Sequence, residues 1–318
     1  MSNVHSLTAK DSKAEIRKTD VVMQINTLIE AGRVVAAHLA QEISVAPSTL
    51  SQVLNGQYKA NTTQVVKKLD NWLRMREQRE ANPNLDPGFV LTPTANLVMD
   101  NLSYAQITQA IVVIIGASGV GKSRALEEYQ RSNNNVWKVI ASPSRSSLTE
   151  LLYEIAMELG MAQAPRTKGP LARVIRQRLK GSEGLIIVDE ADHLDYPTLE
   201  ELRILQEETG IGMALVGNNK VYTQLTGGRR NEDYARLFSR IAKKLSINKT
   251  KQADVRAIAK AWNLQHDAEI SLMIQISEKP GGLRLLSKTL KLAAMFAKGA
   301  AITEALLRTA FNELETNE

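Results

Sequence analysis

The stretch Ala110-Ile111-Val112-Val113-Ile114-Ile115 runs directly into Gly116-Ala117-Ser118-Gly119-Val120-Gly121-Lys122-Ser123. The first segment is a continuous apolar run of strand length, as expected of a strand buried on both faces. The second matches the phosphate-binding pattern G-x-x-x-x-G-K-[ST] at every fixed position. Leu126 and Tyr129 then fall on one face of a following helix. Strand, glycine-rich turn and helix in this order aim backbone N–H groups and a helix N-terminus at one point, which makes an anion site. Gly116, Gly119 and Gly121 allow backbone conformations that a Cβ would forbid, and Ala117, Ser118 and Val120 complete the cradle. Lys122 is placed to reach the β- and γ-phosphates of ATP, and the Ser123 hydroxyl to help hold Mg²⁺.

A second apolar run, Leu185-Ile186-Ile187-Val188, ends in Asp189-Glu190. It predicts a buried parallel strand that delivers two carboxylates to the C-terminal edge of a sheet. Asp189 is expected to orient the water shell of the metal. Glu190 is expected to polarise an attacking water, which separates a hydrolase from a plain nucleotide binder. Asp192 and Asp195 have a simpler explanation as acids favoured at a helix N-terminus.

Three further segments follow in order. Met213-Ala214-Leu215-Val216-Gly217-Asn218 is an apolar strand closed by an amide. If it lies beside residues 185–188, Asn218 sits next to Glu190 and could hold the attacking water; Asn219 takes that place if the register slips by one. Tyr234-Ala235-Arg236-Leu237-Phe238-Ser239-Arg240-Ile241 is an amphipathic helical turn leading into a last strand, and Gly281-Gly282-Leu283-Arg284 opens a later helix. In this order the segments resemble the AAA+ ATPases. The resemblance implies that Asn218 is a sensor residue and that Arg240, with Arg236 as the alternative, is a finger inserted into a neighbouring subunit's site. It also implies that Arg284 reaches back to the γ-phosphate and that hydrolysis requires assembly.

A chain of 318 residues is too long for one ordinary core, so two or three domains are expected. An apolar share of 43% with 23% charged residues is that of a globular protein. No run approaches the ~20 apolar residues of a membrane span, and Lys10, Asp11, Lys13 and Glu15 interrupt any signal-type core. Cysteine is absent, which removes disulfides and thiolate metal sites and fits a reducing cytoplasm. The net charge of +6 permits a polyanionic partner.

The expected organisation is a helical domain over residues 1–80, a linker over 81–95 carrying Pro83, Pro87, Gly88 and Pro93, an α/β core over 96–250, and an all-helical domain over 251–318. Residues 1–20 read as loose. Strands are expected at 110–115, 136–141, 185–188, 212–217 and 244–247, and helices near 122–132, 147–160, 170–180, 197–209 and 232–241. This alternation predicts a parallel sheet covered on both faces. Within the first domain, Leu39, Ala40 and Ile43 mark one helix and Leu50, Val53 and Leu54 a second that starts near Pro47 and stops at Asn55-Gly56. The pair resembles the helix-turn-helix of phage repressors, with Ser44 where that turn usually has glycine. The resemblance implies that Ser48, Thr49, Ser51 and Gln52 face DNA; a helical hairpin for protein contacts is the alternative.

Basic residues point the same way. Arg166, Lys168, Arg173, Arg176, Arg178 and Lys180 occur with no acid among them. Leu171, Ile175 and Leu179 form the buried stripe by i, i+4 spacing, which predicts Arg173, Arg176 and Lys180 outward for phosphate contact. A second basic region runs from Arg229-Arg230 to Lys251. Aromatic content of 4% makes backbone contacts, rather than base stacking, the expected mode.

Closer resemblance rests on Ser132-Asn133-Asn134-Asn135-Val136-Trp137, Lys168-Gly169-Pro170-Leu171, Asp189-Glu190-Ala191-Asp192-His193-Leu194, Glu200-Glu201-Leu202-Arg203-Ile204-Leu205-Gln206-Glu207 and Ala235-Arg236-Leu237-Phe238-Ser239-Arg240-Ile241-Ala242-Lys243. Together they resemble the Mu B family of phage transposition proteins. The resemblance implies an ATPase that binds double-stranded DNA with little sequence preference, polymerises on it as helical filaments and delivers it to a cognate transposase. That transposase triggers hydrolysis and release, steering insertion away from the element's own ends. Arg145 joins the DNA candidates because related filaments place this loop near the DNA axis. A replication initiator or helicase loader, and a transcriptional regulator with an ATPase switch, remain as alternatives.

Overall fold

Apolar residues at helical spacing build the first unit from α1 (Ala9–Glu30), α2 (Ala36–Glu42), α3 (Pro47–Leu54) and α4 (Thr63–Glu80). Val21, Ile25, Leu39, Ala40, Ile43, Leu50, Leu69 and Leu73 converge in one core. Pro47 opens α3, where its missing N–H costs no hydrogen bond. Between α2 and α3, Ser44 takes a left-handed backbone, φ 52°, at the turn position where glycine was the expected residue. The Val45 N–H closes the turn on the Ala40 carbonyl at 2.9 Å. α4 braces it: Lys68 Nζ donates to the Ser44 carbonyl and Trp72 Nε1 donates to Glu42 Oε2 at 2.6 Å. The expectation of a loose segment over residues 1–20 fails from Ala9 on, where α1 begins; residues 1–8 lie outside the described residues. The computed structural model describes residues 9–58, 60–80, 86–218, 221 and 239–315.

The second compact unit, residues 86–318, is centred on a parallel sheet. In chain order it contains α5 (Pro93–Thr108), β1 (Ile111–Gly116), α6 (Lys122–Ser132), β2 (Val136–Ile140), α7 (Leu148–Glu158), α8 (Lys168–Leu179), β3 (Leu185–Asp189), α9 (Tyr196–Thr209), β4 (Gly212–Gly217) and β5 (Ile241–Ile247). Four helices follow: α10 (Gln252–Ala261), α11 (Asp267–Glu278), α12 (Gly282–Ala297) and α13 (Glu304–Glu315). The strand order is β2-β3-β4-β1-β5, with every neighbouring pair parallel. One apolar layer packs α7, α8 and α9 on one face through Leu151, Ile155, Leu171, Ile175 and Leu202. The other packs α5 and α6 through Val98, Leu102, Ala105 and Leu126.

Two sequence expectations change here. The segment after residue 85 is no free linker: Phe89 packs against the core, Thr92 caps α5 by accepting from the Ala95 N–H, and Pro93 is a first-turn residue. The helix α5 itself was not anticipated. The last strand also begins earlier than expected, at Ile241, because an edge strand can carry the exposed Lys243 and Lys244. The expected helix near 232–241 lies largely outside the described residues, as do Asn219 and, of the Arg229–Lys251 basic region, Arg229, Arg230 and Arg236.

Candidate nucleotide site

β1 ends at Gly116, and α6 begins at Lys122 with Gly121 as its cap. Between them the chain adopts φ 79° at Gly119 and 96° at Gly121, conformations that L side chains rarely take. The free N–H groups of the first turn of α6 therefore open toward a cavity of about 550 Å³. Gly116, Ser118, Gly119, Gly121, Lys122 and Ser123 line it from one side. Ala117 and Val120 serve the loop differently, the first by donating its N–H to the Ile247 carbonyl at 3.0 Å and the second by burying its side chain in the core. Lys122 Nζ rests on the carbonyls of Gly116 and Ala117, at 2.9 and 2.8 Å. Burial pushes its pKa below the ordinary lysine range; Asp189, Glu190 and Asp192 oppose that shift and Arg284 adds to it. A polyphosphate would supply the negative charge this partly desolvated ammonium needs.

β3 brings Asp189 to the sheet edge, where the carboxylate is buried. Glu190 follows in a left-handed conformation, φ 55°, with its side chain exposed and lining the cavity. Its N–H donates to Asp189 Oδ1 at 3.0 Å, which fixes the sharp turn between the two acids. Such backbone at a non-glycine residue is a strain that tends to cluster at working sites. The hydroxyl of Ser123 and the carboxylate of Asp189 are hard oxygen donors, a set that suits Mg²⁺.

The β3–β4 pairing, Val188 opposite Leu215, brings Asn218 to the same cavity. Its partner is Asp192: the Asn218 N–H donates to Oδ1 at 3.2 Å and Nδ2 donates to Oδ2 at 2.7 Å. Asp195 does cap α9, accepting from the Thr198 N–H. Asp192 does lie in the first turn of a short 3₁₀ helix, Ala191–His193, and its carboxylate is in addition the acceptor for Asn218.

The opposite wall belongs to α12. Arg284 lines the cavity as expected, and Ser287, Lys288 and Lys291 on the same helix join it. The sequence signal for these three was available, since 284, 287, 288 and 291 share one helical face. The helix is docked directly on the phosphate loop: the Leu283 N–H donates to the Gly119 carbonyl at 2.9 Å, and a Cβ on Gly119 would fall 2.0 Å from the Gly281 oxygen. A smaller, more apolar cavity of about 110 Å³ adjoins, lined by Phe89, Val90, Ile258, Trp262 and Leu290 and sharing Gly121, Arg124, Leu283 and Ser287 with the first. Beneath it, Asp254 is wholly buried and accepts from Thr94 N at 2.8 Å and Thr94 Oγ1 at 2.7 Å, tying α10 to the start of α5.

Arg240 is not brought to this cavity. It is exposed, and its Nη2 lies 3.0 Å from Glu207 Oε1 on α9. Of the DNA candidates, Ser48, Ser51 and Gln52 are exposed on α3 and Thr49 is half-buried. Arg173 is exposed on α8 and Lys180 just after it, and Arg145 is exposed with Glu154 at 3.5 Å. Arg176 corrects the expectation that it turns outward: it is half-buried between α8 and α9, donating to Glu201 at 2.8 Å with Glu208 alongside. Among the described residues no helix is long and apolar enough to cross a membrane.

Comparison with known proteins adds two family models and three relatives. A model described as the AAA domain matches residues 106–225, and one described as "Mu B transposition protein, C terminal" matches residues 239–314. The chain is 46% identical over 299 residues to the ATP-dependent target DNA activator B of Escherichia phage Mu, covering 93% of this chain and 96% of the relative. The protein of the same description from Escherichia phage D108 gives the same figures. The Mu-like prophage FluMu DNA transposition protein B of Haemophilus influenzae is 48% identical over 271 residues, covering 85% of this chain and 94% of the relative.

Proposed function

This chain belongs to the Mu B family of transposition proteins and is an AAA+ ATPase, and from that premise we propose that ATP binding switches its grip on target DNA. ATP is held with its phosphates on residues 116–123 and its base in the apolar cavity of Phe89, Val90 and Trp262. Ser123 and Asp189 hold Mg²⁺, which supplies charge neutralisation at the phosphates when bound. Glu190 takes the proton of the attacking water, Asn218 faces the reacting end, and Arg284 meets the γ-phosphate from α12.

One observation carries the reading: α12 is hydrogen-bonded to the phosphate loop itself, so the same backbone that senses phosphate also sets the position of the helical lid. Nucleotide state is thereby linked to the shape that a neighbouring copy meets. Arg240 completes the neighbour's site, and the ATP-bound chain polymerises as helical filaments on double-stranded DNA with little sequence preference. Arg145, Arg173 and Lys180 contact backbone phosphates, with α3 of the first unit contributing Ser48, Ser51 and Gln52. The assembly presents target DNA to its transposase in the cytoplasm of the bacterial host, and hydrolysis releases it away from the element's own ends. The organisation that goes with this is a DNA-contacting domain over 1–80, an ATPase core over 96–250 and a lid over 251–318.

The test is duplex affinity at one fixed salt concentration, for several unrelated sequences, with ATP, with ADP and with neither. Tight binding with ATP alone, near-uniform across sequences, supports the reading. A strong preference for one sequence would instead favour an operator-reading regulator. Electron microscopy with a slowly hydrolysed ATP analogue should show filaments on the duplex; a closed ring formed without DNA would favour a helicase-loader function.

A further inference from the structure

We propose that Asp192 is the positioning residue for Asn218, holding its amide in the one orientation that serves the reacting end of the nucleotide. Asn218 immediately follows β4, and Asp192 sits in the short 3₁₀ turn Ala191–His193 after β3. The two oxygens of one carboxylate grip both the backbone N–H and the side-chain amide of Asn218, at 3.2 and 2.7 Å. A carboxylate can only accept, so the end of the amide it holds must be the NH₂ end. That removes the usual freedom of an amide to flip and turns its carbonyl the other way.

A second observation supports the same contact. An added Cβ on Gly217 would lie 2.5 Å from Asp192 Oδ1, so glycine at 217 is a condition for this close approach. The competing explanation, an acid placed for the α9 terminus, is already met by Asp195. The inference rests on reading Asn218 as facing the terminal phosphate, and its own content is that Asp192 acts on turnover through Asn218, beside the charge it places near Lys122.

The experiment uses the full chain with Asp192→Ala, Asn218→Ala and the double variant, measuring steady-state ATP turnover together with affinity for a fluorescent ATP analogue. Each single change should lower kcat by roughly tenfold or more, with the double no worse than either alone, because residues acting as a unit are non-additive. Nucleotide affinity should stay within about twofold in Asn218→Ala and should not fall in Asp192→Ala, whose lost charge also acts on Lys122. Asp192→Asn keeps one acceptor oxygen and should fall between the parent and Asp192→Ala. Multiplying effects in the double variant, loss of affinity in step with turnover, or Asp192→Asn no better than Asp192→Ala would overturn the proposal. Normal turnover in Asp192→Ala beside impaired Asn218→Ala removes only this inference, whereas normal turnover in Asn218→Ala removes the underlying reading of Asn218 as well.

Discussion

Two arginines singled out by the same family resemblance end up in contrasting places. Arg284 lines the nucleotide cavity, carried there by a helix whose first turn is bonded to the phosphate loop. Arg240 lies on the surface, ion-paired to Glu207, which also takes Arg203. Exposed ion pairs of this kind contribute little, typically under about 1 kcal/mol, so Arg240 is not committed to that position. The difference teaches what one chain can do by itself. It supplies its own cradle, acids and lid cation, while Arg240 stays outside the cavity.

The comparison can be broken or sharpened by substitution. Lys122→Ala removes the cation at the centre of the cradle and leaves phosphate charge unanswered, so it should weaken ATP binding by about 2–5 kcal/mol, the usual cost of truncating one side of a buried charge pair. Calorimetric titration checks this, and parent-like affinity would mean that the nucleotide does not sit on the loop. Gly119→Ala puts a Cβ where the Gly281 oxygen stands and strains a φ of 79°. It should unseat α12, and with it Arg284, costing about 1–3 kcal/mol. Faster amide exchange at Leu283 and weaker ATP binding are the expected signs; unchanged exchange would uncouple the loop from the lid. Asp254→Ala leaves the Thr94 N–H and hydroxyl unpaired in the interior, a loss of about 1–3 kcal/mol. Thermal unfolding should register it, while ATP contacts on the loop stay intact. An unshifted melting temperature would show that the tie between α5 and α10 contributes nothing.

Legibility in the sequence followed the physics of each element. Strands buried on both faces, such as Leu185–Asp189, read as unbroken apolar runs, and their expected bounds fall within a residue of those found. The edge strand β5 was clipped because only its last residue is buried, so the exposed Ala242 and Lys243 hid its start. α5 escaped notice because its apolar residues, Val98, Leu102 and Ala105, sit behind a proline-rich approach that reads as a linker. Arg176 shows the limit of periodicity: counting along α8 gives the stripe that is buried but cannot see Glu201 and Glu208 arriving from α9. The contact of Asp192 was missed for the same reason, since its partner Asn218 stands 26 positions along the chain. The cradle, by contrast, is a local motif, and one stretch of sequence contains nearly all of its chemistry.

The most direct test of the division between the two arginines mixes two inactive proteins. Arg240→Ala keeps a complete site of its own but offers no finger; Glu190→Gln offers its finger but cannot activate water. Each alone should hydrolyse ATP at a small fraction of the parent rate. In an equimolar mixture with DNA, the Arg240→Ala sites that meet a Glu190→Gln neighbour should turn over again. Hydrolysis that stays at the level of the separate variants would contradict a trans role for Arg240.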